Sequence, residues 1–381
     1  MRHLLAVIAT VLLGMALPAV AQVKIGVVVS ATGPAASLGI PERNAITLAP
    51  RLMAKSSIDY IVLDDASDPT NARRSIDRLT SEDHVDLLIG SSTSPSSLAM
   101  VEVAGQSKTP MISMGAARAI IFPMDANRRW VFKTPYNDAT TAAATVKDMQ
   151  ARGVKTVGIL AFNDAYGEGW SKEFRPLAEK SGINVVASEQ YSPRDTSVTA
   201  QALKVVAANP DAVLVVASGT PGALPPTALA ERGYKGKVYQ TTGVVNADFL
   251  RVGGAAVEGT LIAADPLSVA SQLPDANPAK QEAQSFTHEY DAKFGTGSTS
   301  AFSGYAWDAV LIAQAAITQA QGKGQPGTEA FRSALRDQIE GLKGVPTTAG
   351  PVTMNPEDHN GYAPDAPVMI TVLNGKFALA K

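Results

Sequence analysis

A run of hydroxyl side chains at residues 91–94 (SSTS) follows an apolar segment, residues 85–90, that is typical of a buried strand. The residues after this run have the composition of a helix. The N-terminus of a helix exposes backbone N–H groups, and together with hydroxyls these groups bind anions without a full positive charge. The run therefore predicts an anion site; the alternative is helix capping by Ser94, with the other serines solvated.

A second loop that invites a chemical interpretation is Gly167-Glu168-Gly169, which follows another apolar segment and opens a helix. Glu189 lies about 20 residues further on, where a dinucleotide-binding fold has its ribose-binding acid. However, Lys172 occupies the position of the third glycine, and Glu168 would face a pyrophosphate with like charge. The sequence therefore argues against a dinucleotide site.

Composition excludes several classes of chemistry. The chain has no cysteine and only 4 histidines, which excludes thiol catalysis and argues against a multi-histidine metal centre. Lys+Arg is 33 and Asp+Glu 35, and a net charge of −2 leaves no basic excess for gripping a nucleic acid. The G-x-S-x-G, H-E-x-x-H and Walker lysine motifs do not occur. We therefore expect no catalytic residue, no metal or other cofactor, and no nucleic-acid partner.

An acidic cluster, Asp64, Asp65 and Asp68, precedes a helical pattern that begins near Thr70. Calcium loops space their oxygen ligands at alternate positions and end in a bidentate glutamate, and this segment has neither feature. Capping of the following helix is therefore the favoured role for the cluster.

These loops are positioned by a regular alternation of strands and helices. Strand-like segments occur at residues 24–30, 59–64, 85–90, 110–113, 156–161, 183–188, 212–217 and 237–240. Helical patterns lie between them, including residues 44–55, 70–81, 140–152, 196–208 and 224–232. Such alternation specifies parallel sheets covered by helices, and its length predicts an α/β fold with two doubly wound Rossmann-like lobes. Ligands bind such lobes outside the carboxyl ends of the strands.

The N-terminal residues 1–21 have the pattern of a secretory signal peptide. Arg2 and His3 precede an apolar run from residue 4 to residue 17, and the segment ends in Ala19-Val20-Ala21. The run is shorter than the roughly 20 residues of a membrane span. We expect cleavage after Ala21 and, because no cysteine follows, a periplasmic protein without a lipid anchor.

Several loops together resemble the type I periplasmic binding proteins of the leucine/isoleucine/valine-binding family, which serve ABC importers. The opening KIGVVVSATGPAASLG is similar to the family's first strand and ligand loop. DDASDPTNARRSIDRLTSEDHVDLLIG resembles the stretch before its serine-rich loop, and MISMGAARA, FNDAYGEG and TTGVVNADFLR resemble later segments in the same order. Their order and spacing, rather than any single motif, make the resemblance specific.

The resemblance implies two lobes joined by three hinge crossings, near residues 133–138, 263–267 and 341–350. Lobe one would comprise residues 22–134 and 267–341, and lobe two residues 136–263 and 350–381. Ligand binding between the lobes would favour the closed state. It also implies a monomer that passes a small-molecule ligand to a membrane ABC permease.

The same resemblance implies how a ligand is held. Ser91 or Ser92, with Ala116 and Ala117, would bind a ligand carboxylate, and Tyr166 would close over the ligand from lobe two.

Three positions depart from the amino-acid-binding members of the family. Thr242 stands where those members carry an acid that pairs with the ligand ammonium. Leu38 and Gly219 replace large aromatic side chains and leave room for a flat ring. Arg118 follows the anion-binding turn and offers a bidentate carboxylate contact, with a solvated arginine as the alternative.

We therefore expect an aromatic carboxylate or aryl 2-oxo acid as the ligand. The alternatives are a branched-chain or other amino acid, with Asp138 or Asp164 supplying the missing acid, an exported α/β enzyme, and a ligand sensor.

Overall fold

The computed structural model describes residues 22–49 and 58–381. The predicted signal peptide, residues 1–21, lies outside the described residues, as does the second half, residues 50–55, of the helix predicted at residues 44–55. None of the helices within the described ranges has a stretch long and apolar enough to cross a membrane.

The first sheet contains five parallel strands in the order β2-β1-β3-β4-β5. Its strands are β1 (Val23–Val29), β2 (Ile58–Asp64), β3 (Leu87–Gly90), β4 (Met111–Ser113) and β5 (Val131–Lys133). The helices between them are α1 (Ala36–Ile46), α2 (Pro69–Ser81) and α3 (Ser94–Gln106). The near-continuous apolar residues of β1 and β3 are buried, because helices cover both faces of a parallel sheet.

The second sheet has seven strands in the order β12-β11-β10-β9-β8-β6-β7. Its parallel strands are β6 (Thr156–Phe162), β7 (Asn184–Tyr191), β8 (Ala212–Val216), β9 (Lys237–Gln240) and β10 (Leu261–Ala264). Strands β11 (Val368–Leu373) and β12 (Lys376–Leu379) extend it as an antiparallel pair. The accompanying helices are α4 (Asp138–Ala151), α5 (Ala165–Lys180), α6 (Thr199–Ala207), α7 (Leu224–Glu231) and α8 (Ala247–Gly253).

Between β10 and β11 the chain forms α9 (Lys280–Phe294), α10 (Ala301–Ala320) and α11 (Glu329–Glu340). Helix α10 packs against α1, beside the first sheet. The chain therefore passes between the two sheets three times: after β5, after β10 and before β11. The expected α/β fold with two doubly wound lobes is confirmed. The exact lobe boundaries, residues 22–134 with 267–341 and residues 136–263 with 350–381, stay a prediction.

Helix α1 begins at Ala36, eight residues before the helix predicted at 44–55, and ends at Ile46. The prediction was wrong because Gly39 and Pro41 made residues 36–43 read as a loop. Gly39 serves close packing instead: a Cβ there would lie 2.2 Å from the backbone of Ser30 at the end of β1. The first ligand loop is therefore short, and Leu38 sits within a helix.

Helix α2 confirms the capping role for one member of the acidic cluster, Asp68, whereas Asp64 and Asp65 accept hydrogen bonds from neighbouring loops. Asp68 is the N-cap, and its carboxylate accepts hydrogen bonds from Thr70 N at 2.7 Å and Asn71 N at 3.3 Å. Because of these bonds the pKa of Asp68 is lowered.

Candidate ligand-binding site

A cavity of about 170 Å³ lies between the two lobes, at the carboxyl ends of the parallel strands. The lobe-one side, with the N-terminal part of α10, is lined by Pro34, Ala35, Leu38, Ser67, Pro69, Ser92, Thr93, Ser94, Pro95, Met114, Ala116, Phe302 and Tyr305. The lobe-two side is lined by Phe162, Asp164, Tyr166, Ser192, Pro193, Arg194, Ser218, Pro221, Thr242 and Gly243. Most of this surface is aliphatic, aromatic or proline.

The structure brings five of the nine predicted ligand residues to this cavity: Leu38, Ser92, Ala116, Tyr166 and Thr242. The other four, Ser91, Ala117, Arg118 and Gly219, are not part of its lining. Gly219 contacts the opposite lobe instead, since a Cβ there would lie 3.0 Å from Leu38 Cδ1.

The hydroxyl protons of Ser91 and Ser92 are already used by buried carboxylates. Ser91 Oγ donates to Asp65, and Ser92 Oγ donates to Glu42. Ser92 Oγ also accepts the N–H of Ser30 at 2.8 Å. Both serines are buried, not solvated, and neither hydroxyl has a proton left for a ligand. Ser92 therefore faces the cavity without a free hydroxyl donor.

Ser94 is the serine whose hydroxyl remains a donor. The N-cap of α3 is Thr93, whose side chain accepts the N–H of Ser96 at 3.3 Å. The alternative that Ser94 caps the helix is therefore wrong. Ser94 Oγ accepts the N–H of Ala117 at 3.0 Å, and in the described residues nothing takes its own proton. The first-turn N–H of Ser94 has no partner within its helix either.

Most backbone N–H groups in the turn after β4 donate hydrogen bonds to other groups of the protein. Gly115 N donates to Ser113 Oγ at 3.0 Å, Ala117 N to Ser94 Oγ, and Arg118 N to Asp138 Oδ2 at 3.2 Å. Ala117 therefore acts through Ser94 rather than on a ligand. The Ala116 N–H lies between these committed amides, at a residue that lines the cavity.

Arg118 bridges the lobes rather than lining the cavity. Its guanidinium lies 3.5 Å from Glu173 Oε1 of α5 and 3.6 Å from the ring centroid of Phe122. The guanidinium is therefore held by these two neighbours, and the carboxylate contact expected from the sequence stays a prediction.

At the hinge side of the cavity, Thr242 and Tyr305 meet the carboxylate of Asp265, which follows β10. Oδ2 of Asp265 lies 3.0 Å from Thr242 Oγ1 and 2.6 Å from the Tyr305 hydroxyl, and the two hydroxyls are 2.8 Å apart. Asp265 is 2% exposed and lies behind the lining residues. Burial raises the pKa of Asp265, and the two hydrogen bonds oppose that rise.

The acids that the sequence offered as substitutes take other roles. Asp164 lines the cavity, but its carboxylate caps α5 by accepting Tyr166 N at 2.9 Å and Gly167 N at 3.0 Å. Gly167 itself is required for packing, since a Cβ there would lie 1.9 Å from Phe162 O. Asp138 is buried away from the cavity surface, and burial raises its pKa to about 7. Asp265 is the acid behind Thr242.

Sequence reasoning missed several lining residues. Arg194 and its neighbours Ser192 and Pro193 follow β7, and their position after a parallel strand was a usable signal. Phe302 and Tyr305 lie in the first turns of α10, in an apolar pattern that gives no sign of a cavity.

A family model for periplasmic binding proteins matches residues 22–376. Among solved structures, an extracellular ligand-binding receptor from Rhodopseudomonas palustris HaA2 is 40% identical, with a TM-score of 0.91 over 94% of this chain and 100% of that chain. A Leu/Ile/Val-binding protein from Rhizobium johnstonii is 25% identical over 87% of each chain.

A more distant likeness concerns the fold alone. A solute-binding protein of an ABC transporter from Rhodopseudomonas palustris, solved in complex with benzoate, is 22% identical over 94% of this chain and 95% of that chain, with a TM-score of 0.78. These relatives are solute-binding proteins, and this chain is a binding protein rather than an enzyme. The chain belongs to the periplasmic binding protein family, in its type I, Leu/Ile/Val-binding branch.

Proposed function

We propose that this protein captures a small aromatic carboxylate for an ABC importer. The observation that carries the proposal is the pairing of an uncharged Thr242 with a cavity whose surface is mostly aliphatic, aromatic or proline. A charged ammonium group would have no carboxylate in direct contact at Thr242, and burying an unpaired charge is costly.

The carboxylate half of the ligand would lie at the N-terminus of α3. The Ser94 hydroxyl and the N–H groups of Ser94 and Ala116 are donors that find no acceptor among the described residues. The partial positive charge of the helix N-terminus adds to their attraction for an anion.

The ring half of the ligand would pack on apolar walls. Leu38 and Met114 from lobe one face Phe162 and Tyr166 from lobe two across the cavity. Leu38, Phe162 and Tyr166 are at most 6% exposed, so a ring placed among them would lose most of its contact with water. Arg194, at the exposed rim, offers a positive charge that would attract an anionic ligand.

The comparisons support a carboxylate ligand of either kind. The Rhodopseudomonas protein in complex with benzoate shares the fold, and the Rhizobium relative is a Leu/Ile/Val-binding protein. An amino acid is therefore the second candidate. One observation favours it: the Asp265 carboxylate lies directly behind Thr242, where it would attract an ammonium group through the hydroxyl.

The proposal includes export and a partner. Cleavage after Ala21 would release a periplasmic protein, and closure of the two lobes around the ligand would create the form that a membrane permease recognises. We propose that it acts as a monomer. The family resemblance favours an importer over a ligand sensor as the receiver.

Ligand-dependent thermal shifts test the proposal. We expect benzoate or another aryl carboxylate to raise the melting temperature, since a ligand at 100 times its dissociation constant stabilises the folded state by about 2.7 kcal/mol. Phenylpyruvate and phenylalanine are the most informative pair, because they differ chiefly at the carbon that carries the oxo or ammonium group.

The mature protein, residues 22–381, is the sample, after unfolding and refolding to remove any ligand that co-purifies. Mass spectrometry of the denatured protein would identify such a ligand independently. A shift with phenylalanine or leucine and none with any aryl acid would show that the protein binds amino acids. Turnover of a bound carboxylate would refute a pure binding function.

A further inference from the structure

The hydroxyl protons of Thr242 and Tyr305 are committed to a carboxylate behind the cavity wall. Each hydroxyl lies within hydrogen-bond distance of the same oxygen, Asp265 Oδ2, at 3.0 Å and 2.6 Å. A carboxylate oxygen has two lone pairs and can accept both protons. The two hydroxyl oxygens are also 2.8 Å apart, so a proton donated between them stays within the same cluster. Toward the cavity, Thr242 and Tyr305 then present lone pairs rather than protons.

Among the described residues, the donors to the Asp265 carboxylate are the two hydroxyls and its own backbone N–H. Its second oxygen, Oδ1, is buried and has no hydrogen-bond partner among the described residues. The nearby ammonium group of Lys133 donates its three hydrogen bonds to the carbonyl oxygens of Ala116, Pro135 and Tyr136, at 2.8 to 3.0 Å, and not to Asp265. Leaving a buried carboxylate without donors is costly, so it holds the protons of both hydroxyls.

We propose that Asp265 makes this wall a hydrogen-bond acceptor and so selects ligands that carry a hydroxyl over otherwise similar ligands that carry a carbonyl oxygen or a halogen. Asp265 is a positioning residue, because it acts through Thr242 and Tyr305. The inference rests on the proposed function for its choice of aryl acids. It favours hydroxy acids over the aryl 2-oxo acids that the sequence analysis included among the expected ligands, because two acceptors facing each other leave one unsatisfied.

Matched ligand pairs test this selectivity. The pairs are mandelate with benzoylformate, phenyllactate with phenylpyruvate, and 4-hydroxybenzoate with 4-fluorobenzoate; the last pair covers a hydroxyl on the ring. Titration calorimetry at pH 7.5 gives a dissociation constant for each ligand. We expect the hydroxyl member of at least one pair to bind about tenfold more tightly or better.

Three variants identify the source of the preference. In Asp265→Asn the amide donates to one hydroxyl and frees its proton for the ligand, so the preference should fall to about threefold or less. Thr242→Val removes one acceptor and should also reduce it. Thr241→Val is the matched control, because the Thr241 hydroxyl donates to Ala217 O at 3.0 Å and takes no part in the Asp265 contacts. The control should keep the full preference.

The outcomes separate this inference from the proposed function. Equal or tighter binding of the non-hydroxyl member in every pair overturns the inference while leaving the aryl carboxylate intact. An unchanged preference in a normally melting Asp265→Asn, or in Thr242→Val if that first variant does not fold, also overturns it. If only amino acids bind, the proposed function is wrong, and the inference then requires Thr242→Val to weaken phenylalanine binding more than Thr241→Val does. Binding of none of these ligands overturns both.

Discussion

Two walls of the cavity carry hydroxyl side chains, yet they offer a ligand opposite groups. We call Ser94 and Ala116 the donor wall, and Thr242 and Tyr305 the acceptor wall. On the donor wall the Ser94 hydroxyl only accepts a bond from the protein, so its proton is free. On the acceptor wall both protons go to Asp265.

The difference shows that the role of a hydroxyl group depends on which residue, if any, accepts its hydrogen bond. Ser91 and Ser92 lie in the same serine-rich loop as Ser94, but Asp65 and Glu42 take their protons. These two serines therefore hold the loop in place, and the ligand is left with the third. Burial also raises the pKa of Glu42, and its hydrogen bond with Ser92 opposes that rise.

The largest expected effect comes from removing a carboxylate that holds the serine-rich loop from which the donor wall starts. The Asp65 carboxylate is fully buried and accepts hydrogen bonds from Ser30 Oγ, Ser91 Oγ and Ser67 N. Asp65→Ala leaves these donors unpaired and should lower the free energy of unfolding by about 3–5 kcal/mol. Urea denaturation with an unchanged m-value measures this loss.

The control for this change is Asp59→Ala, an aspartate on the exposed side of β2, which should change the stability by less than about 0.5 kcal/mol. A loss below about 1 kcal/mol in Asp65→Ala would mean that the serines find other acceptors. The loop would then not depend on its buried acid.

The fold was predictable where one local signal dominated. The apolar runs of β1 and β6 and the capped, amphipathic α2 lie within one or two residues of their predicted positions. Helix α1 was not predictable, because its glycine and proline are tolerated for a tertiary reason, the close contact of Gly39 with Ser30. Local propensity is a weak guide where packing decides.

The site was predictable only to the level of loops. The rule that ligands bind at the carboxyl ends of strands pointed to the loops that carry Ala116, Tyr166 and Thr242, and the family resemblance singled out these residues, which line the cavity. It could not show which serine keeps its proton, since that depends on side-chain directions. It also could not show that Asp265 lies behind Thr242, because the two residues are brought together by the crossing between the lobes.

Loss of the free hydroxyl on the donor wall should have the next largest effect. Ser94→Ala removes a hydrogen bond to a charged group, worth about 1.5–3 kcal/mol, and should weaken binding of an aryl carboxylate about ten- to a hundredfold. Titration calorimetry measures the change, and the melting temperature of the free variant shows whether it still folds.

The matched control is Ser96→Ala in the same helix. Ser96 is fully buried, its hydroxyl has no partner in the described residues, and it does not line the cavity. Its replacement should leave the affinity unchanged. An equal loss of affinity in both variants would mean that the substitutions act through the helix as a whole. An unchanged affinity in Ser94→Ala would show that the Ser94 hydroxyl does not donate to the ligand.

The smallest expected effect is a pH dependence confined to the acceptor wall. Burial raises the pKa of Asp265, so its carboxyl takes up a proton at a higher pH than an exposed aspartate does. A protonated Asp265 can donate to Thr242 or Tyr305, which releases a hydroxyl proton toward the cavity. The groups that interact electrostatically with Asp265 are Lys133, Tyr136, Asp308 and Tyr362.

The preference for mandelate over benzoylformate, measured from pH 8 to 5.5, should therefore begin to fall at a higher pH than titration of an exposed aspartate would give. The ligand carboxylates stay ionised in this range, because free carboxyl groups titrate near pH 3–4. Asp265→Asn cannot titrate at this position, so its preference should be independent of pH, whereas Thr241→Val should follow the wild type. A preference that rises toward low pH, or the same slope in Asp265→Asn, would show that another group controls the acceptor wall. The difference between the two walls would then not depend on whether Asp265 accepts the hydrogen bonds of the hydroxyl groups.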